Sequence, residues 1–285
     1  MAIDYSADYN NRAHVPEFPQ IVAQWQKDGA AFTRTMVEQG RAELDIRYGS
    51  TARQYIDLYK GSSGNGADAP LAMFIHGGYW KALSPKEHSH FARGLTERGV
   101  DVAVAGYDLA PQVSIAQIVE EMRAAALFLW KRFGKRITVY GHSAGGHLTA
   151  CMIGTDWKKL DAGAPSDLIA VGSAISGVFD LTKLVHTDMN ADFKLDDKSA
   201  HDGSPLFWPA PKGRVMDVIV GAAELPEFVR LSKVMAETWG NAGVETRYEA
   251  VPGKHHFNVS DGFTDPHSAM TERLYTLCQR SKALA

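Results

Sequence analysis

Four short stretches carry residue types that could do chemistry together. In Gly141-His142-Ser143-Ala144-Gly145 a serine lies between two glycines at G-x-S-x-G spacing, after the β-rich run 136–140 and before the helical segment 147–153. In that context the chain turns sharply from strand to helix and lifts the Ser143 hydroxyl above a sheet, where it can act as a nucleophile. The helix N-terminus beneath it favours developing negative charge. His76-Gly77-Gly78-Tyr79-Trp80 directly follows the apolar run Leu71–Ile75. A glycine pair there lets backbone N–H groups approach a substrate oxygen, so Gly77, Gly78 and Ala144 are the expected oxyanion donors. His76 is read as holding the loop.

A serine nucleophile needs a base, and the base an orienting carboxylate, in the chain order Ser, Asp/Glu, His for a strand-to-helix nucleophile. Glu224 follows the apolar run 218–220 at what should be the carboxyl end of a strand, where sites of open sheets lie. Glu227 comes three residues later, after Pro226, in the first turn of a helix, where an acid commonly serves the helix dipole. Val251-Pro252-Gly253-Lys254-His255-His256-Phe257 supplies the base, and spacing leaves His255 and His256 both open.

These residues have to be placed by a sheet. Strand-length apolar runs fall at 42–49, 53–60, 71–75, 100–106, 136–140, 168–173, 216–220 and 246–250 and alternate with segments of helical period. That pattern predicts an α/β fold: a mostly parallel eight-stranded sheet with helices on both faces. The first two strands, joined at Ser50-Thr51-Ala52, should form an antiparallel edge hairpin, followed by a Gly/Ser-rich loop at 61–69. Ser84-Pro85-Lys86-Glu87 predicts a helix start, with Gly99 ending that helix, and Asp265-Pro266 a start for the last one. A stripe of apolar residues from Ile115 to Phe133 predicts a core-facing helix. The whole chain, 1–285, reads as one domain, with a helical extension over 1–40 (Trp25, Phe32, Met36, Val37) and a polar, irregular cap or insertion over 183–213.

Composition excludes several classes. With 45% hydrophobic and 22% charged residues the chain is neither disordered, collagen-like nor a coiled coil. A net charge of −3 and no basic block interleaved with aromatics leave no nucleic-acid partner expected. Cys151 and Cys278 are expected as free thiols, and no cluster suggests a metal or an organic cofactor. Residues 1–5 lack the basic start and apolar stretch of a signal peptide, and the longest apolar-looking run, 168–179, is far short of the roughly 20 residues of a membrane span. The expectation is a cytoplasmic protein without a membrane partner; a homodimer is possible.

Taken together, His-Gly-Gly-Tyr-Trp at 76–80, Gly-His-Ser-Ala-Gly-Gly at 141–146, Glu-Leu-Pro-Glu-Phe-Val-Arg-Leu-Ser at 224–232 and His-His-Phe at 255–257 resemble the kynurenine formamidase (arylformamidase) group of the α/β-hydrolase fold. Tyr9-Asn10-Asn11-Arg12-Ala13 and Tyr107-Asp108-Leu109-Ala110-Pro111 are similar to further signatures of the group. The resemblance implies Ser143 as nucleophile, Glu224 as acid and His256 as base, acting on a small-molecule ester or aryl formamide without a cofactor. Many members carry Asp at the acid position, and the family includes esterases with the same motifs. Tyr79, Trp80, Phe207 and Trp208 are the candidates for an aromatic substrate pocket, which should favour formyl and acetyl groups over long acyl chains. Two rival readings are an amide- or thioester-preferring hydrolase on the same fold and a non-catalytic ligand-binding protein.

Overall fold

The computed structural model describes residues 4–62 and 66–284. Met1-Ala2-Ile3 of the N-terminal stretch and residues 63–65 of the expected Gly/Ser-rich loop lie outside them. Eight strands form one sheet: β1 (Ala42–Arg47), β2 (Tyr55–Tyr59), β3 (Leu71–Ile75), β4 (Asp101–Ala105), β5 (Ile137–His142), β6 (Val171–Ile175), β7 (Val215–Gly221) and β8 (Glu245–Val251). Their spatial order is β1-β2-β4-β3-β5-β6-β7-β8. β1 and β2 are antiparallel at the edge and β2 is antiparallel to β4; every later pairing is parallel. The mostly parallel sheet with its edge hairpin is thus the one expected.

Strand alternation divides the core in two. Leu71, Met73 and Ile75 of β3 join one cluster, Ala72 and Phe74 the other. Helix α1 (Phe18–Glu38) brings Trp25, Phe32 and Met36 to the second cluster, while Val37 on its other side is exposed. Helix α2 (Ile115–Phe133) brings Ile118, Val119, Met122 and Leu129 to the first. Each such side chain contributes about 1.5–3 kcal/mol by leaving water. A capping box between Ser114 and Gln117 starts α2, and Gly134 in the left-handed region ends it. Three further long helices are α3 (Ala144–Ile153), α4 (Pro226–Asn241) and α5 (Ala269–Lys282).

Two expected helix boundaries are corrected. The helix opened by Ser84 stops at His88, runs on as a 3₁₀ turn over Ser89–Ala92 and resumes at Arg93–Glu97. The Ser89 hydroxyl donates to the Pro85 carbonyl at 3.0 Å, competing with the regular ladder. At the other end Asp265-Pro266 forms a turn, the Asp265 side chain accepting from His267 N–H at 2.9 Å, and Ser268 caps α5 instead. The segment 183–213 contains short helical turns at Asn190–Phe193, Asp197–Asp202 and Pro205–Phe207. Cys151 and Cys278 are buried free thiols, and among the described residues no helix is long and apolar enough to cross a membrane.

Candidate active site

Ser143 stands where β5 turns into α3, with φ of 59°, a left-handed conformation that costs a non-glycine residue on the order of 1–3 kcal/mol. The surroundings enforce it. Ser143 N–H donates to the Ile175 carbonyl at 2.8 Å, and a Cβ at Gly145 would lie 1.9 Å from the Ile75 oxygen, so only glycine allows α3 so close to β3. The serine is thereby presented at the carboxyl edge of the sheet.

His256 lies in the loop after β8, its Nε2 3.0 Å from Ser143 Oγ and its Nδ1 2.6 Å from Glu224 Oε2. A carboxylate accepts, so the proton sits on Nδ1 and Nε2 is free to accept from the serine. Glu224 follows β7; its Oε1 accepts from Gly221 N–H at 2.7 Å and from the Ser176 hydroxyl. All three side chains are buried. Glu227 does not face His256: it pairs with Arg230 at 2.7 Å and Lys183 at 3.0 Å and accepts from the Tyr9 hydroxyl at 3.3 Å. His255 is turned away, its N–H donating to Asn258 Oδ1 at 2.7 Å and its Nδ1 accepting from Phe257 N–H at 3.2 Å.

The glycine loop after β3 is aimed by hydrogen bonds on its carbonyls. His76 Nδ1–H donates to the Gly77 carbonyl at 2.7 Å, and the Tyr107 hydroxyl donates to the His76 carbonyl at 2.9 Å. In a trans peptide C=O and N–H point oppositely, so fixing these carbonyls fixes the directions of the Gly77 and Gly78 N–H groups. Burial, with the neighbouring His88 adding to it, holds His76 well below the ordinary histidine value, so it stays a neutral donor. Gly78 has φ of 112°, and a Cβ there would meet the Ala82 oxygen at 2.1 Å. Ala144, the first residue of α3, has its N–H among the helix-end donors left without an intrahelical partner.

Sequence reasoning missed four contributors. Tyr107 and Ser176 act as just described. His142, between the motif's first glycine and the serine, donates Nε2–H to the His256 carbonyl at 2.7 Å, and burial keeps it neutral. The N-terminal segment roofs the site: Arg12, Phe18 and Trp25 share with Ser143, His256 and Tyr79 a cavity of about 30 Å³. The Tyr-Asn-Asn-Arg-Ala motif was a signal for this roof, although nothing in its spacing points to the serine.

The aromatic candidates are corrected accordingly. Tyr79 lines the cavity, its hydroxyl donating to the Tyr9 carbonyl. Trp80 is fully buried against His147 and Phe193, because the turn after Gly78 sends successive side chains to opposite sides. Phe207 is 43% exposed and stacks on His201, while Trp208 Nε1–H donates to the Asp202 carbonyl at 2.8 Å. Neither reaches the serine, because 183–213 docks beside the glycine loop through Lys81–Asp192 (2.7 Å) and Trp80–Phe193. A larger cavity of about 550 Å³ lies at Arg41, Lys60, Asp101 and Arg132, near the amino ends of the parallel strands, and among the described residues no histidine lines it. Among the described residues no group of three or more His, Cys, Asp or Glu is arranged to hold a metal.

A strand-to-helix serine, a histidine after the last strand and a carboxylate after the strand before it define the α/β hydrolases. The chain belongs to that family, residues 72–259 matching the profile described as alpha/beta hydrolase fold. Within it the chain is kynurenine formamidase-like: it is 29% identical over 283 residues to the kynurenine formamidase of Danio rerio, covering 97% of this chain and 92% of that one. Among solved structures, a candidate thioesterase from Silicibacter sp. TM1040 superposes with a TM-score of 0.82 at 31% identity, over 98% of this chain and 100% of that one. Thermogutta terrifontis esterase 2, at 20% identity and a TM-score of 0.65 over 84% of this chain and 93% of that one, shares the fold.

Proposed function

We propose that this α/β hydrolase cleaves small-acyl esters or formamides of aromatic leaving groups through a Ser143–His256–Glu224 triad and an acyl-enzyme. His256 Nε2 takes the Ser143 proton as Oγ attacks the acyl carbon, and Glu224 holds the Nδ1–H tautomer and stabilises the imidazolium that forms. The oxyanion is met by N–H groups of Gly77, Gly78 and Ala144, already oriented before substrate arrives. His256 then protonates the leaving oxygen or nitrogen, and water reverses the steps to release the acid. The observation that carries this reading is the continuous chain Ser143 Oγ–His256–Glu224 at 3.0 and 2.6 Å beside the two-glycine loop.

The walls support this substrate class. The cavity at Ser143, about 30 Å³, is much smaller than the one of about 170 Å³ that shares Arg12 and Tyr79 with it, which supports a small acyl group. Tyr79, Phe18, Trp25 and Phe257 give an aromatic surround, and ring–ring contact is worth about 0.5–1.5 kcal/mol beyond burial. The likeness to kynurenine formamidases supports the formamide branch. The likeness to a candidate thioesterase gives acetyl thioesters as the second reading.

A hydrolysis panel tests the proposal: N-formylkynurenine, aryl acetate, aryl octanoate and an acetyl thioester. Formyl and acetyl aryl substrates should exceed the octanoate by at least tenfold in kcat/KM, about 1.4 kcal/mol of discrimination. A preference for the octanoate overturns the small acyl pocket, and a preference for the thioester selects the second reading.

A further inference from the structure

The small cavity at Ser143 adjoins a second one of about 170 Å³, and Arg12 and Tyr79 line both. A leaving group that runs from Ser143 toward the second cavity would meet these two residues. We propose that Arg12 is the specificity residue of this passage and binds a carboxylate carried by the leaving group. The proposal rests on the reading of Ser143 as nucleophile given above.

The charges around the passage single out Arg12. Lys81, on the wall of the second cavity, is held by Asp192 at 2.7 Å, and nearby Lys183 and Arg230 are both taken by Glu227. Among the described residues Arg12 has no carboxylate within ion-pairing distance; its guanidinium lies over the Phe18 ring, 4.8 Å from the centroid. Phe18 in turn packs on Phe257 at 4.6 Å, the residue after His256. The cation is thus held on an aromatic platform beside the catalytic base, with its N–H fork unspent. Such a fork matches a carboxylate with two parallel hydrogen bonds. The acids that face the passage do not compete: Glu224 is buried and engaged by His256, Ser176 and Gly221, and Asp188 lines the second cavity without pairing Arg12.

The backbone bearing Arg12 is anchored for this use. Asn10 Oδ1 accepts from Ala13 N–H at 3.0 Å, His14 Nε2–H donates to the Ala223 carbonyl at 3.0 Å beside Glu224, and Asn11 Nδ2 donates to the Tyr79 hydroxyl at 3.3 Å. One short segment therefore fixes both the aromatic and the cationic side of the passage.

The test uses two aryl acetates alike in size, 4-acetoxyphenylacetate and its neutral amide 4-acetoxyphenylacetamide, and reads the ratio of their kcat/KM values. Wild-type protein should prefer the anion at least tenfold at low salt, mainly through KM, and the ratio should shrink as salt screens the exposed Arg12 side chain. Arg12→Met and Arg12→Gln should lower the ratio at least tenfold, and Arg12→Lys should keep part of it. An unchanged ratio in the variants, or a wild-type ratio near one, overturns the proposal while turnover of the neutral ester leaves the hydrolase reading standing. If neither ester is cleaved, the hydrolase reading falls and this one with it. Should the Met and Gln variants fail to fold, Arg12→Lys and the salt series decide, and a salt-independent ratio overturns the role of charge.

Discussion

Glu224→Gln isolates the orientation of the base from the shape of the site. Glu224 Oε1 accepts from Gly221 N–H and the Ser176 hydroxyl, and a glutamine oxygen in that place keeps both bonds. Its amide NH₂ then faces His256 Nδ1, where the carboxylate oxygen accepts at 2.6 Å. An NH₂ group donates, so Nδ1 must present its lone pair and the proton must move to Nε2, which points at Ser143 Oγ. The base is occupied. The opposite flip of the amide would abandon two buried hydrogen bonds, so it offers no escape. Loss of the orienting carboxylate by this route costs about 10⁴ in kcat, or about 5 kcal/mol of transition-state stabilisation. No folded-state hydrogen bond is lost, so Tm should move by no more than about 4 °C, the shift of roughly 1 kcal/mol in a chain of this size. The control is Glu227→Gln, which weakens the Lys183 and Arg230 pairs and should lower Tm while leaving kcat within about threefold. Aryl acetate turnover and thermal melts of both variants decide. Equal kcat values for the two, or a Glu224→Gln enzyme within tenfold of wild type, would refute the tautomer argument.

His256→Ala should reduce aryl acetate turnover by about 10⁴ or more, whereas His255→Ala should cost less than tenfold, since only the first reaches Ser143; the reverse ranking, read from kcat, would exchange their roles. Acid should unfold the protein through its buried histidines. Burial pushes His90 down to about 3 and His147 down to about 4 from 6.5, and lowers His76, His88 and His142 as well. These groups stay neutral in the fold but bind protons in the unfolded chain below 6.5, so stability is complete above about pH 7 and falls as pH drops below 6.5. At pH 5 His90 and His147 should each cost about 2 kcal/mol, and urea midpoints that stay level between pH 7.5 and 5 would contradict this burial.

The sheet was legible because its inner strands, β3, β5, β6 and β7, are buried on both faces and read as short apolar runs between glycines and capped helices, while the outer β1 and β8 are half exposed. The positions of Ser143, Glu224 and the glycine loop at strand ends were legible because each is marked by special backbone there. What escaped the sequence is side-chain direction within loops. Tyr79 and Trp80 are neighbours, yet one lines the cavity and the other enters the core, because their positive φ values send the chain through a tight turn. The cover of the site was only partly legible, for a related reason. The 183–213 stretch docks on Lys81 and Trp80 and borders the second cavity through Asp188 and Met189, while the cavity at Ser143 is lined by Arg12 of the turn Asn11–His14 and by Phe18 and Trp25 of α1. The helix opened by Ser84 gives way to a 3₁₀ turn at Ser89, where the serine hydroxyl also bonds the Pro85 carbonyl.

The central claim is that Ser143 is the nucleophile, and the turnover of Ser143→Ala tests it most directly. The residue is buried at a strained turn and the role proposed for its hydroxyl is chemical, so alanine should leave the melting temperature near that of wild type. With the triad broken, catalysis rests on the oxyanion donors and binding alone, and kcat for an aryl acetate should fall by about 10⁴–10⁶. A folded Ser143→Ala protein that retains more than a few per cent of wild-type turnover would contradict the account.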